Sequence, residues 1–314
     1  YISNNVSTEE MAYAVRRGIC VSLDSLSQLE RFGKAFPGAK ASLRINSGVG
    51  AGHSAKVVTG GKDTKFAIPL EQLSEALAIV KRHGIRLVGV NQHIGSFFLE
   101  KEIYLEGVRA LLAAVRDIPG LDFIDLGGGF GMPYDVLSQH RLDLEALGGS
   151  LDEIFEQFSK NYGKTVTFKI EPGRYLSAEC GVLMGRVESL KENGGHNYCG
   201  TDIGFNVLIR PMLYDAYHEI EVWPPRESIK KRYTVVGNIC ESGDILAKDR
   251  MLPEIREEDL LLVLDAGAYG YSMASNYNNR LRPAEVLICP DGSSRLIRRR
   301  ERLEDLLRLF ELEV

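Results

Sequence analysis

Along the first 174 residues, short apolar runs rich in β-branched side chains alternate with segments whose apolar positions recur every three to four residues. That alternation predicts βα units and a parallel sheet. Six strands are expected, at residues 1–5, 19–23, 41–46, 85–93, 123–126 and 166–171. Between them Leu70, Leu73, Leu77 and Val80 line one helical face, and residues 106–116 and 151–158 repeat the pattern. Ser7 followed three places later by Glu10 is the signature of a capping box opening the first helix.

From about Gly181 the texture changes. VLMGRVESL, YTVVGNIC, LLLVLDAG and EVLICPDGSSRLIRR read as strands, the last folded back at Pro290-Asp291-Gly292. The expected fold is therefore α/β followed by all-β. Residues 1–180 would form a (β/α)8 TIM-type barrel with about six βα units visible, and residues 181–314 a β-sandwich or β-barrel domain. Gly148-Gly149 and residues 223–232 are the expected breaks in regular structure. The closing RRRERLEDLLRLF is an expected short amphipathic helix with a solvated basic face.

Composition narrows the partner. The chain has 38 Lys and Arg against 43 Asp and Glu, a formal charge of −5, so no basic field invites nucleic acid or an anionic membrane. No apolar stretch reaches the ~18 residues of a membrane span. A small-molecule partner is expected. Five cysteines without a CxxC spacing argue against a disulfide framework and a zinc knuckle, and point to a reducing cytoplasm. The six histidines are scattered with no HxH or HExxH, so no metal is expected.

In a βα barrel, chemistry sits where strands end. Two of the expected strands end in GGGF, Gly127 to Phe130, and EPGR, Glu171 to Arg174. Glycines let amides approach an anion and Arg174 adds a bidentate cation, a set that suits phosphate; ordinary strand-to-helix turns are the plain alternative. Glu171 needs a donor on the same floor. A pyridinium nitrogen would serve, since pyridoxal phosphate wants an acid opposite its ring nitrogen; a pair with Arg174 is the alternative. NQHIGS brings His93 and Ser96 to the same rim, where a flat imidazole could stack on a ring or be a satisfied polar residue. In the β region, CESGD sets Cys240 beside Glu241, either a proton donor beside a cation hook or a small buried hydrophobe.

Taken in order, HIGS, DLGGGF, EPGRY, RPMLY, CESGD and GAYGYSMASNYN resemble the pyridoxal-phosphate group IV decarboxylases with an alanine-racemase-type barrel, and among them the diaminopimelate decarboxylase family. The resemblance covers essentially the whole chain. It implies decarboxylation of meso-2,6-diaminopimelate to L-lysine, with pyridoxal 5'-phosphate as cofactor. His93 would then stack on the cofactor ring and Glu171 would face its nitrogen. Ser96, Gly127, Gly128, Gly129, Gly173, Arg174 and Tyr269 would hold the phosphate. Arg174, Arg210, Tyr214 and Tyr269 would help hold substrate, Glu241 its distal ammonium, and Cys240 would return the proton. Family enzymes are homodimers whose Cys-Glu loop completes the neighbour's site, which implies the same for Cys240 and Glu241.

The resemblance also implies a Schiff-base lysine in a YAxKA-like motif on the first barrel strand. Tyr13-Ala14-Val15-Arg16 imitates the letters but lies in an expected helix and ends in arginine. The chain, which starts YISNNVSTEEM, is thus expected to begin at the third barrel strand, to be inactive as it stands, and to expose two sheet edges. Lys169 shares strand parity with Glu171 and is the one lysine that could stand in. Ala67, where the family has glycine, and Asn91-Gln92 are smaller departures. The competing readings are a decarboxylase of another basic amino acid, a non-catalytic homologue, and a metal-dependent barrel hydrolase. Against the first stands Glu241, where ornithine decarboxylases have aspartate.

Overall fold

A computed structural model describes residues 1–52, 58–61 and 64–311. The chain divides into two compact units, Tyr1–Pro133 with Ser138–Tyr175, and Tyr134–Leu137 with Leu176–Val314.

The first unit is built on a parallel sheet in the order β1 (Val21–Leu23), β2 (Lys40–Asn46), β3 (Arg86–Asn91), β4 (Phe123–Gly128) and β5 (Thr167–Glu171). Ile68–Pro69 adds a short parallel pairing to the end of β2. Helices α1 (Thr8–Arg16), α2 (Leu26–Ala35), α3 (Leu73–Arg82), α4 (Lys101–Val115) and α5 (Leu144–Tyr162) fall between strands. Leu43, Ile45, Val90, Ile124 and Leu126 from the strands join Met11, Leu29, Phe32, Leu111 and Val115 from the helices in one core. Parallel strands covered by helices need such near-continuous apolar runs. Register also aligns Arg44, Asn91, Asp125 and Lys169 as neighbours across β2 to β5, a polar row on one face of the sheet.

Several expectations need correction. Residues 1–5 do not form a strand: Ile2 makes a single parallel bridge to Ser22, and Asn5 at φ 54° turns the backbone toward α1. That short contact still covers the β1 edge, with the Ser22 amide donating to the Tyr1 carbonyl at 2.8 Å. Both sides of the sheet stay exposed: Ile170 on β5 is 50 % exposed, and Tyr1 and Ile2 beside β1 are 44 % and 39 % exposed. The capping box is half formed. Ser7 Oγ accepts from the Glu10 amide at 3.1 Å, while the Glu10 carboxylate accepts from the Tyr1 hydroxyl. Nor does Gly148-Gly149 break the chain. The 19-residue α5 runs through it, held by its Asp143 cap, by Gly163 in the left-handed region, and by buried Leu147, Leu151 and Phe158. Two helical glycines cost about 1 kcal/mol each, less than those side chains return on burial.

The second unit contains β6 (Leu183–Asn193), β7 (His196–Thr201), β8 (Ile220–Trp223), β9 (Lys231–Val236), β10 (Ile245–Leu252) and β11 (Leu260–Val263). They form one sheet in the order β8-β11-β6-β7-β9-β10, antiparallel except where β7 meets β9. Val187, Cys199, Leu208, Val235, Leu261 and Val263 form its core. The stretch after β8 is pinned, because Arg226 grips Asp259 with two hydrogen bonds of 2.5 and 2.8 Å. A separate hairpin, Glu285–Ile288 with Ser294–Arg298, turns at Gly292, φ 82°. The expected terminal helix shrinks to Leu303–Leu307, with Asp305 held by Arg299 at 2.6 and 2.7 Å. Among the described residues, no helix is long and apolar enough to cross a membrane.

Candidate active site

In the first unit every strand runs the same way, so the carboxyl ends deliver side chains to one rim. His93 follows β3, Gly127 and Gly128 end β4, and Glu171 ends β5. The Gly128 amide donates to His93 Nδ1 at 3.2 Å, which places the neutral ring's proton on Nε2. Burial, aided by the Arg44 charge, pushes the imidazole down to about 4, so the ring is neutral across the physiological range.

The glycines here have a structural reason. A Cβ on Gly128 would stand 1.9 Å from the Glu171 carbonyl oxygen, and one on Gly127 would stand 2.3 Å from that of Gln92. Gly127 and Gly129 also hold φ of 73° and 104°. The Gly127 amide donates to Asp125 at 3.0 Å. Glycine thus lets three strands converge, and two of the amides in this turn are committed to His93 and Asp125.

Glu171 is exposed as a residue, yet partial removal of its carboxyl from water, followed by the Asp125 charge, raises its pKa, with Arg44 opposing. Desolvation likewise raises Asp125. Arg44 is 5 % exposed; desolvation lowers its pKa while Asp24 and Glu171 support the charge. Arg44 Nε and Asn91 Nδ2 are buried donors with no hydrogen-bond partner among the described residues. Beyond β5, α6 (Gly173–Ser177) carries Arg174, whose guanidinium is 7 % exposed and donates to Ser96 Oγ at 3.1 Å. A Cβ on Gly173 would meet nothing within 4 Å. Lys169 Nζ lies 3.9 Å from the centroid of the Phe123 ring, at the amino end of β4.

The second unit holds the other sequence-expected residues. Arg210, 2 % exposed, opens the one-turn helix Arg210–Tyr214, which carries Tyr214 at its end. Cys240 and Glu241 are exposed on a loop. The Cys240 amide donates to Asn278 Oδ1 at 2.9 Å. Beneath the loop, the buried Asp244 carboxylate accepts from the Phe205 amide at 2.7 Å and the Ile239 amide at 2.8 Å. A Cβ on Gly237 would stand 2.3 Å from that carboxylate. Tyr269 is 41 % exposed with φ 59°, an uncommon conformation for an aromatic residue.

Sequence reasoning assigned no role to Arg44, Asp125 or Asp244. A lone arginine inside the apolar strand ASLRIN was a legible signal of a buried charge. Asp125 and Asp244 stood inside quoted motifs with no feature marking them as ties to backbone amides.

Comparison with known proteins bears on the family of the chain. Residues 1–178 match the family model described as pyridoxal-dependent decarboxylase, pyridoxal binding domain. The chain is 39 % identical over 316 residues to the diaminopimelate decarboxylase of Methanothermobacter thermautotrophicus, covering 98 % of this chain and 73 % of that protein. It is 38 % identical over 306 residues to that of Escherichia coli K12, covering 93 % and 72 %. The crystal structure of diaminopimelate decarboxylase from Helicobacter pylori complexed with L-lysine superposes with a TM-score of 0.89 at 31 % identity, over 98 % of this chain and 77 % of that one. On both sequence and fold, the chain belongs to the pyridoxal-dependent decarboxylases, within the diaminopimelate decarboxylase family.

Proposed function

We propose that the protein decarboxylates meso-2,6-diaminopimelate to L-lysine and carbon dioxide, using pyridoxal 5'-phosphate. The observation that carries this reading is 39 % identity to a diaminopimelate decarboxylase over 98 % of the chain. A basic or diamino acid is the substrate class, and a soluble cytoplasmic setting fits a biosynthetic enzyme of this kind.

The residues on the first unit's rim fit the cofactor. Arg174 and Ser96, already hydrogen-bonded to each other, supply phosphate donors beside Gly173. Gly127, Gly128 and Gly129 shape that cradle by letting the strand ends close. The Arg44 and Asn91 nitrogens, without hydrogen-bond partners among the described residues, mark an interior that accommodates a polar group. When bound, pyridoxal phosphate supplies an electron sink for the carbanion left by carbon dioxide. Glu171 would face the ring nitrogen and favour its protonated form. His93, kept neutral, would lie against the ring without adding a competing positive charge.

In the second unit, Arg210 and Tyr214 bind a substrate carboxylate and Tyr269 assists substrate and phosphate; Arg174 of the first unit assists both as well. Glu241 holds the distal ammonium and Cys240 delivers a proton to the carbon that lost carbon dioxide. The protein acts as a homodimer, its exposed Cys240-Glu241 loop completing the site of a second copy.

The holoenzyme should release lysine and carbon dioxide from meso-diaminopimelate. It should do so far faster than it turns over ornithine, arginine or lysine. Turnover of ornithine at an equal or higher kcat/KM would reject the substrate assignment, and Glu241→Asp leaving the preference unchanged would reject the hook.

A further inference from the structure

One histidine outside every motif with an assigned role lies at the centre of the second unit's polar interior. His218 is fully buried. Its Nδ1 lies 2.8 Å from the Leu264 carbonyl oxygen, which can only accept, so the proton sits on Nδ1. The lone pair on Nε2 then accepts from Arg210 Nη1 at 2.7 Å. The opposite tautomer would set two N–H groups against each other and leave the carbonyl facing a lone pair. Tyr134 closes the group, its ring edge-on to the imidazole at 5.2 Å and 4.3 Å beneath the guanidinium.

A carboxylate facing Arg210 in place of this ring would orient the guanidinium and also set a negative charge beside it. A neutral imidazole orients it and adds no charge. An arginine held this way has its fork fixed in direction before an incoming anion arrives. We propose that His218 is a positioning residue for substrate binding, aiming Arg210 at the substrate carboxylate through its Nε2 lone pair. This rests on the reading that Arg210 meets that carboxylate.

Two substitutions separate the two bonds of the ring. His218→Gln keeps an acceptor at the distance of Nε2, whereas His218→Asn keeps a donor near Nδ1 for Leu264 and loses the acceptor. Steady-state kinetics on the full-length holoenzyme with meso-diaminopimelate, alongside melting temperature and the cofactor absorption spectrum, read the outcome. His218→Asn should raise KM by about tenfold with kcat within about threefold and an unchanged spectrum, and His218→Gln should stay within about threefold of the parent KM. Arg210→Lys, the control, should raise KM at least as much. A parent-like KM in His218→Asn beside a raised KM in Arg210→Lys would overturn the role of His218 alone. A parent-like KM in Arg210→Lys, with turnover intact, would reject the Arg210 assignment and the positioning role with it. Should the asparagine variant fail to fold, the glutamine variant decides: parent-like KM supports the proposal, and raised KM at an unchanged melting temperature overturns it.

Discussion

The first unit holds its candidate side chains at the ends of hydrogen-bonded strands, whereas the second holds its own on loops tied down by buried polar groups. His93, Gly128 and Glu171 take their places from strand register, and the glycines are there because backbones touch. Cys240 takes its place from a loop that hangs on the Asp244 carboxylate, and Arg210 from a helix one turn long with an imidazole behind it. A sheet distributes positional control over many bonds. A buried polar hub concentrates it in one side chain, whose loss strands two or more partners at once.

The strongest test of this contrast is a methyl group. Gly128→Ala forces a Cβ to within 1.9 Å of the Glu171 carbonyl and should cost more than about 3 kcal/mol in urea denaturation. Gly173→Ala, which meets nothing within 4 Å, should cost less than about 0.5 kcal/mol. Equal costs would break the claim that register sets the first unit's rim.

On the other side of the comparison, Asp244→Asn replaces one acceptor oxygen with a donor facing a backbone N–H, at a cost of about 2–3 kcal/mol. Hydrogen exchange should accelerate at the Phe205 and Ile239 amides first; uniform acceleration across β6 to β11 would show that Asp244 serves the whole sheet and not one loop.

Proton linkage gives a third reading. His93 titrates near 4 in the fold against an ordinary 6.5, so the unfolded chain binds the proton first as pH falls. Stability from this group is present above pH 6.5 and drains away as pH drops toward 4, on the order of 3 kcal/mol in all. Thermal melts across that window should slope upward with pH, and His93→Gln should flatten the slope. The smallest effect carries the opposite sign: Gly148→Ala and Gly149→Ala, with open space around both, should each stabilise α5 by about 0.5–1 kcal/mol.

What could be read in advance follows the same division. β2 to β4 are legible because buried strands must carry apolar runs, and the turns at Gly127 and Gly173 because glycine marks a close approach or a turn. Residues 1–5 misled because Tyr1 and Ile2 look like strand, and nothing in the letters shows that Asn5 turns left-handed. Asp244 and His218 were opaque for a deeper reason. Their partners are backbone groups up to 46 positions away, with one side chain eight positions off, and a lone acid or histidine among polar neighbours carries no periodicity. Arg210 was found by motif, but the ring that aims it was not.

Tyr134, finally, belongs to the second unit although residues on both sides of Tyr134–Leu137 belong to the first. A gene rearrangement that exchanged everything after Tyr175 for the corresponding part of a relative would therefore import a new Arg210 and His218 while leaving behind the ring they pack against. Viable chimeras between such proteins should carry position 134 with its distant partners, so that the four-residue segment is inherited with the tail of the chain and not with its flanks.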